Sequence, residues 1–406
     1  MKFAHLADCH IGSWRDPRLR DASTKAFLKA MDLCVDKNVD FVLISGDLFN
    51  TSLPSIDRLK EVVIKLRDLK DKDMPVYVIP GSHDFSPSGK TMLDVLEEAR
   101  LFVNVVKGEV VDGKLKLKFT IDDKTGAKIT GMLGKKGMLE KTFYENLSKD
   151  NLESEEGYKI FMFHTAISEL KPKELEKMDS SPLSLLPRGF DYYAGGHVHI
   201  IDDKSLDGYK RVVYPGALFP NNFAELEKFG NGGFYLVEDD VLTYEPVVIH
   251  NVFSISVDCN HKAPEQIENE IQAQIRNQEF VNTIVTIRLY GLLESGKLSD
   301  INFKDVFSSI YDKSAYFVMK NTSGLRTSEF EEIKVELRNV EELETSLIKE
   351  HAGKVNIELD VNSELGLTKS LINSLDSERM EGERVEDFKV SLKNEIKSLL
   401  GLNDFF

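Results

Sequence analysis

Cysteine is scarce in this sequence. Only Cys9, Cys34 and Cys259 occur in 406 residues, and no two are spaced as CxxC. A disulfide framework is therefore not expected, and a reducing cytosol fits the composition. Long apolar runs are missing too: none reaches the roughly 18 residues that a membrane helix needs. The opening FAHLA is short and runs straight into Asp8, with no basic-then-apolar leader pattern. Positive charge is in deficit, with 52 Lys and Arg against 68 Asp and Glu, a net of -16. That argues against a broad, non-specific polyanion surface. The deficit is uneven. From Glu329 to Phe406 there are 19 acidic and 10 basic residues, so more than half of the excess lies in the last fifth of the chain. Internal repeats and low-complexity tracts are absent.

The length exceeds that of one ordinary domain, and an apolar content of 41% can fill real cores. From residue 1 to about 100, strand and helix patterns alternate. FAHLA, FVLIS and VYVIP read as strands, with helices predicted from Ser23 (as N-cap) to Val35, over 55–70, and from Met92. That order points to parallel pairing with helices outside. Between about 103 and 250 the runs shorten: Val103–Val106, Val110–Val111, Lys114–Phe119, Lys128–Met132, KIFMF, DYYAG, RVVYPG and GGFYLV predict a second, more antiparallel sheet. Two facing sheets covered by helices make an α/β sandwich of four layers. After a boundary at Pro246–Phe253, VFSISVDC, helix Pro264–Asn277, VNTIVTIRLYG, helix Phe303–Tyr311 and AYFVMK predict a small α/β unit. The expected domains are 1–250, 251–322 and a helix-rich acidic tail over 323–406.

Five stretches place metal-binding side chains just past an apolar run: Asp8-Cys9-His10, Gly46-Asp47, Gly81-Ser82-His83-Asp84, His164 and Gly196-His197-Val198-His199. Strand ends of one sheet converge on one edge. Such an edge would collect enough Asp and His for two ions. Without cysteine, that donor set suits manganese, iron or zinc. Two ions about 3.5–4 Å apart clamp a phosphate and activate a bridging water. Asp47, alone after a buried strand, is the natural bridging carboxylate. Asp8 and His10, two apart, are expected on one strand face, gripping one ion. His197 and His199 repeat the spacing and can split between the ions. Cys9 should face away into packing, and His5 either into the core or into a place behind the ligands.

DxH, GD, a G(N)HD-like motif, H and GHxH, in this order over about residues 1–240, resemble the calcineurin-like metallophosphoesterase superfamily. FAHLADCHIG, SGDLFN, PGSHD and GGHVH resemble, more narrowly, the SbcD / Mre-eleven family of double-strand-break repair nucleases. The resemblance implies a four-layer α-β-β-α metallophosphoesterase sandwich, a small α/β capping domain that orients DNA, and a helical C-terminal tail. It implies a first metal on Asp8, His10, Asp47 and His199, and a second on Asp47, Ser82, His164 and His197. Two Mn2+ are implied, with Mg2+, Fe2+ or Zn2+ as substitutes. His83 would stand beside the scissile phosphate as a catalytic acid, oriented by Asp84 (or Asp84 would simply cap the following turn). Implied partners are DNA and, through the C-terminal helices, an SMC-like ATPase of the SbcC / Rad-fifty type. A homodimer through helices 23–36 and 55–70, no membrane, and a cytoplasmic, nucleoid-associated location complete that picture. Two positions depart from the family: Ser82 stands where it carries Asn, and Asn50 where some members carry a further His. A weaker second site follows from the first departure.

Trp14, Arg15, Arg18 and Arg20 follow the first motif and are candidates for DNA contact, against a bland reading as a solvated loop with one packed Trp. Lys90, beside the third motif, is a further candidate for DNA contact. Ser88-Gly89-Lys90-Thr91 mimics the end of a phosphate-binding loop, but its first glycine is missing, and an ATP site is rejected. Lys135 and Lys136 read as a surface turn rather than a groove lining. His250, His261 and His351 are expected on the surface. Leu367, Leu371, Ile372 and Leu375 form one apolar stripe, and Phe388, Leu392, Ile396, Leu399 and Leu400 another. They flank a charged stretch, Asp376–Glu386. Amphipathic helices at an acidic chain end need a surface to cover, either a partner or the chain's own body. The favoured function is a metal-dependent DNA nuclease subunit of a break-repair complex. The alternatives are a phosphoesterase for small molecules or phosphoproteins, and a DNA-end-binding scaffold weakened at Ser82.

Overall fold

A computed structural model describes residues 1–86, 91–135, 139–327, 348, 360–377 and 385–400. Two compact units divide the chain, Met1–Ser328 and Glu329–Phe406. In the first, β1 (Lys2–Leu6), α1 (Pro17–Asp36), β2 (Phe41–Ser45), α2 (Ile56–Asp71), β3 (Val76–Ile79), α3 (Met92–Glu98) and β4 (Val103–Asn104) alternate as expected. Helix α1 begins earlier than Ser23. Asp16 caps it by accepting the Arg18 amide, and Pro17 occupies the first turn. That pair is the stronger start signal, because proline has no amide to lose there. Ser23 instead accepts the Gly12 amide and donates to the Arg20 carbonyl.

The chain continues with β5 (Gly108–Val111), β6 (Lys114–Leu117), β7 (Thr120–Ile121), β8 (Lys128–Gly131), α4 (Lys141–Glu145), α5 (Asp150–Glu153), β9 (Lys159–His164), β10 (Tyr192–Gly196), β11 (Ile201–Leu206), β12 (Tyr209–Pro215), α6 (Phe223–Phe229), β13 (Gly233–Glu238) and β14 (Val241–Pro246). One six-stranded sheet runs β14-β13-β1-β2-β3-β4, the other β11-β12-β10-β9-β8-β7, and β5-β6 form a separate ribbon. GGFYLV was expected in the second sheet. As β13 it lies antiparallel against β1 in the first, with Phe3 opposite Val237. The second sheet is also less antiparallel than expected. Strands β8, β9, β10 and β12 pair parallel, and only its edges are antiparallel. The stretches after Gly131 and His164 are long enough for crossover connections, which parallel neighbours require.

Phe3, Phe41, Leu43, Ile79, Ile129, Ile160, Met162 and Tyr192 fill the space between the sheets. Helices α1 to α3 cover the outer face of the first sheet, with Phe27, Met31 and Leu66 in that core. Tyr144 and Leu152 from α4 and α5 cover the second. This is the four-layer α-β-β-α sandwich. Cys9 and Cys34 are buried in the first outer core, and all the cysteines are free. His5 is core, bonded to Tyr192 Oη and Ser45 Oγ.

β15 (Asn251–Asp258), α7 (Pro264–Ile275), β16 (Thr283–Leu293), α8 (Phe303–Tyr311) and β17 (Phe317–Thr327) form an all-parallel three-stranded sheet with its own core of Ile255, Ile267, Ile287 and Ile310. His250 is buried rather than on the surface. Its ring stacks on Tyr316 at 3.8 Å, and Nδ1 lies 2.6 Å from Asn282 Oδ1. It sits where the first domain meets this sheet, a position that local pattern does not reveal. His261 is exposed, and His351 lies outside the described residues.

In the second compact unit, α9 (Val361–Leu375) and α10 (Val385–Leu399) carry the two stripes and meet each other, with Ser374 Oγ donating to Glu395. Most of the charged stretch between them lies outside the described residues. Among the described residues, no helix is long and apolar enough to cross a membrane.

Candidate metal centre

Strands β1, β2 and β3 are parallel neighbours in one sheet, and β9 and β10 in the other. Their C-terminal ends emerge at one edge of the sandwich, and the loops beyond them carry the five motifs. Asp8 and His10 do not share a strand face, because β1 stops at Leu6. Each turns through the left-handed region instead, with φ of 50° and 41°. Asp47 (52°), His197 (93°) and His199 (53°) do the same. Asp and His are among the side chains that tolerate this region, but a non-glycine residue there costs about 1–3 kcal/mol and is a mark of functional sites. The surrounding backbone enforces it. The Asp8 amide donates to Gly46 O at 3.1 Å, His10 to Asp47 O at 2.9 Å, and Ile11 to Leu48 O at 3.0 Å.

Three groups of ligand atoms result, each mutually within 4.8 Å: Asp8, His10 and His199; His10, Asp47 and His83; Asp8, Asp47 and His164. His10 Nε2 is 3.0 Å from His199 Nε2 and 3.7 Å from Asp47 Oδ2. His199 Nε2 is 3.6 Å from Asp8 Oδ1. His164 Nε2 is 3.2 Å from Asp47 Oδ2, off the line of a hydrogen bond, and is left buried without a hydrogen-bond partner. His197 joins none of the three groups. Its ring stands 5.1 Å from that of His164, while its amide donates to both oxygens of Asp8. Ser82 Oγ lies 3.3 Å from Asp47 Oδ2, and the His83 amide 2.7 Å from Asp47 Oδ1.

The tautomers are fixed from behind. Nδ1 of His164 meets the Ser45 carbonyl at 2.7 Å, Nδ1 of His83 the Asn50 carbonyl at 2.9 Å, and Nδ1 of His199 the Glu225 carboxylate at 2.9 Å. Acceptors of this kind require the proton on Nδ1. Each Nε2 is then the ligand-bearing nitrogen, as metal-binding histidines demand.

Burial drives the Asp8 carboxyl up to about 6, and the His10 and His197 rings down to about 3 and 4. Burial opposes charge on His164 and His199 as well. Asp47 and Asp8 nevertheless raise His164 to about 10, and Asp8 with Glu225 raises His199 to about 9. Against burial, His164 holds Asp47 well below the usual carboxylate range. Protons on two imidazoles thus balance carboxylates that water does not reach.

The backbone leaves no slack here. A Cβ on Gly46 (φ +87°) would lie 2.2 Å from His164 Nδ1, and one on Gly196 2.1 Å from the Ser45 carbonyl. Buried carboxylates, ε-nitrogens turned towards them and an orphaned His164 Nε2 fit divalent cations with nitrogen and oxygen ligands, once the imidazolium protons are displaced.

Residues 1–200 match the calcineurin-like phosphoesterase family. They form a calcineurin-like phosphoesterase domain. The family works with divalent metal ions, and its chemistry is metal-dependent hydrolysis of phosphate esters. The whole chain aligns at 27% identity with the DNA double-strand break repair protein Mre11 of Methanococcus maripaludis, across 100% of this chain and 99% of that protein. The Mre11 protein of Methanocaldococcus jannaschii is 28% identical over 92% of this chain and 95% of its own length. That of Archaeoglobus fulgidus is 31% identical over 56% and 52%.

Within the phosphoesterase domain, Asp84 does not hydrogen-bond to His83. Its buried carboxylate accepts the amides of Leu48, Phe49 and Gly81 at 3.1 Å each, capping the loop that carries Asp47. Burial and Asp47 push it up to about 7, against amides that favour its ionised form. Trp14 is part of the core margin, and its indole donates to Pro220 O at 3.0 Å. Arg18 spends its guanidinium on Asp16, on Tyr316 O, and over the Phe317 ring at 4.5 Å. Arg20 holds the carbonyls of Trp14 and Arg15. Of this set, Arg15 and Arg18 are exposed, and Arg15 lies nearer the first motif. Lys90 and Lys136 lie outside the described residues, while Lys135 rests over Phe85 and Phe143. Sequence reasoning missed Glu225. Its signal was Asn222-x-x-Glu225, a capping-box spacing at the start of α6.

Proposed function

We propose that this chain is the metal-dependent DNA nuclease subunit of a double-strand-break repair assembly. One observation carries the reading: three overlapping groups of Asp and His ligand atoms sit at one edge of the sandwich in a chain that aligns end to end with an Mre11 protein. Asp8, His10, Asp47 and His199 would hold one ion, and Asp47, Ser82, His164 and His197 the other, with Mn2+ as the metal. Bound there, such ions supply Lewis acidity and a nucleophilic water. Asp47, with Oδ2 3.7 Å from His10 Nε2 and 3.2 Å from His164 Nε2, is the shared carboxylate in this reading. His83 keeps its Nδ1 proton on the Asn50 carbonyl, so Nε2 is the atom that can carry a second proton to a leaving oxygen. Asp84 keeps the Asp47 loop in shape. Residues 251–322 act as the cap, with Arg15 as a contact for DNA phosphates. In the tail, expected over 323–406 although β17 extends the preceding sheet to Thr327, Leu392 and Ile396, flanked by lysines on α10, suit docking to an SMC-like ATPase. On α2, exposed Ile56 (82%) and Ile64 (48%) suit a homodimer.

A second reading, an end-binding scaffold that does not cut, draws on Ser82: a hydroxyl is a poorer ligand than an amide oxygen. Incubating the chain with Mn2+ and either linear DNA or a chromogenic phosphoester, with a chelator control, separates these readings. Metal-dependent loss of DNA is the expected result. Dye release without DNA loss would move the substrate to small phosphoesters, and neither would leave the scaffold.

A further inference from the structure

Helix α6 joins two places that the sequence holds far apart. At its start, Glu225 receives the Nδ1 proton of His199 at 2.9 Å. Its other oxygen, Oε2, accepts the Asn221 amide at 2.7 Å, and Asn222 Nδ2 donates from the cap position at 2.6 Å to Oε1, the same oxygen that faces His199. The carboxylate is thus held by two bonds besides the one to the histidine. Two residues on, Glu227 forms a forked pair with Arg288 of β16, with Arg288 Nε 2.9 Å from Oε2 and 3.1 Å from Oε1. The same guanidinium lies over the Phe223 ring at 5.2 Å. The loop entering α6 is pinned in turn by Trp14, whose indole donates to Pro220 O and which follows the Asp8–His10 loop.

We propose that Glu225 is a positioning residue for His199, and that α6 transmits the placement of the three-stranded unit to this one metal ligand through Glu227 and Arg288. The inference rests on the reading that His199 binds metal. His199 needs such a support. Its backbone is left-handed, at φ 53°, and its ring reaches Asp8 and His10 only through Nε2. A charge-assisted bond at Nδ1 fixes both tautomer and ring direction, the role that partners behind metal-binding histidines fill elsewhere. His164 has no comparable device: its Nδ1 rests on a strand carbonyl inside the sandwich. Whatever shifts residues 251–327 is therefore felt at His199 and not at His164.

The test titrates Mn2+ into the full chain by calorimetry and reads histidine tautomers by nitrogen NMR of the diamagnetic Zn2+-loaded chain. The unaltered chain should take two ions, with His199 as a single Nδ1–H tautomer. Glu225→Ala should weaken one ion about 10- to 100-fold and leave the other in place, with a mixed His199 tautomer. Glu225→Gln, whose amide oxygen can still accept from Nδ1, should recover part of the loss and serves as the folded control. Arg288→Ala should weaken the same ion a few-fold. Equal loss at both ions, or none, in Glu225→Ala overturns the positioning role. Unchanged affinity in Arg288→Ala overturns the link through α6. If the unaltered chain takes no ion, the failure belongs to the metal-centre reading instead.

Discussion

The two sides of the metal centre are secured by different physics. On the Asp8–His10–His199 side, an ionised carboxylate from a short helix holds the ligand ring, and that helix is itself tied to another sheet. On the Asp47–His164 side, fit does the holding. His164 is fully buried, its Nδ1 is on the Ser45 carbonyl, and glycines at 46, 134 and 196 pass too close for any side chain. Charge can be tuned by moving a partner, whereas close contact either fits or fails. One side is open to adjustment and the other is rigid.

The largest expected effect belongs to neither side alone. His83→Ala should lower cutting by about 10²–10⁴ while leaving the metal content intact, measured as turnover alongside ions per chain. His83 sits within ligand distance of His10 and Asp47, so loss of metal in this variant would make it a third support of the centre. Gly196→Ala attacks the rigid side. Its Cβ would meet the Ser45 carbonyl at 2.1 Å, and the expected cost is about 1–3 kcal/mol in a denaturant melt. A neutral result would show that the fit around His164 has slack.

Protonation sharpens the contrast next. In the metal-free chain, Asp47 and Asp8 raise His164 to about 10, and Asp8 with Glu225 raises His199 to about 9, both against the pull of burial. At pH 7 both rings hold a proton that a cation must displace. Metal affinity should therefore climb with pH from 7 towards 9, and binding should release about two protons at pH 7. Calorimetry in buffers of different ionisation enthalpy counts them, and a pH-independent affinity would refute the assignment. The smallest effect is expected from Ser82→Asn. An amide oxygen reaches further than the hydroxyl 3.3 Å from Asp47, and should tighten one ion by about tenfold or less. Two equally tight ions in the unaltered chain would show that Ser82 costs nothing.

The strand ends and ligand types were legible in sequence because each follows an unbroken apolar run, and buried parallel strands have few other ways to read. The loop conformations were not. Asp8 and His10 look like alternating strand residues, and only the crossing hydrogen bonds to Gly46 and Asp47 turn them left-handed. GGFYLV carried no mark of which sheet it joins, because both faces of β13 meet apolar cores. Glu225 was hidden for another reason: its capping-box spacing is common, and nothing local ties it to His199, 26 residues earlier. Asp84 was misplaced as a partner of His83 because adjacency in sequence suggested contact, whereas the unsatisfied amides lay in the neighbouring loop.

The rungs between Asp8, His10 and Ile11 and the stretch Gly46–Leu48 continue the pairing of β1 with β2 past the formal end of the sheet. The centre is consequently a socket and not a clasp. It keeps its shape when empty, so chelation should strip the ions without loosening these amides, which would stay as slow to exchange with solvent as those of the strands beneath them. What an arriving ion has to expel is hydrogen ions, and the chain around it has little left to arrange.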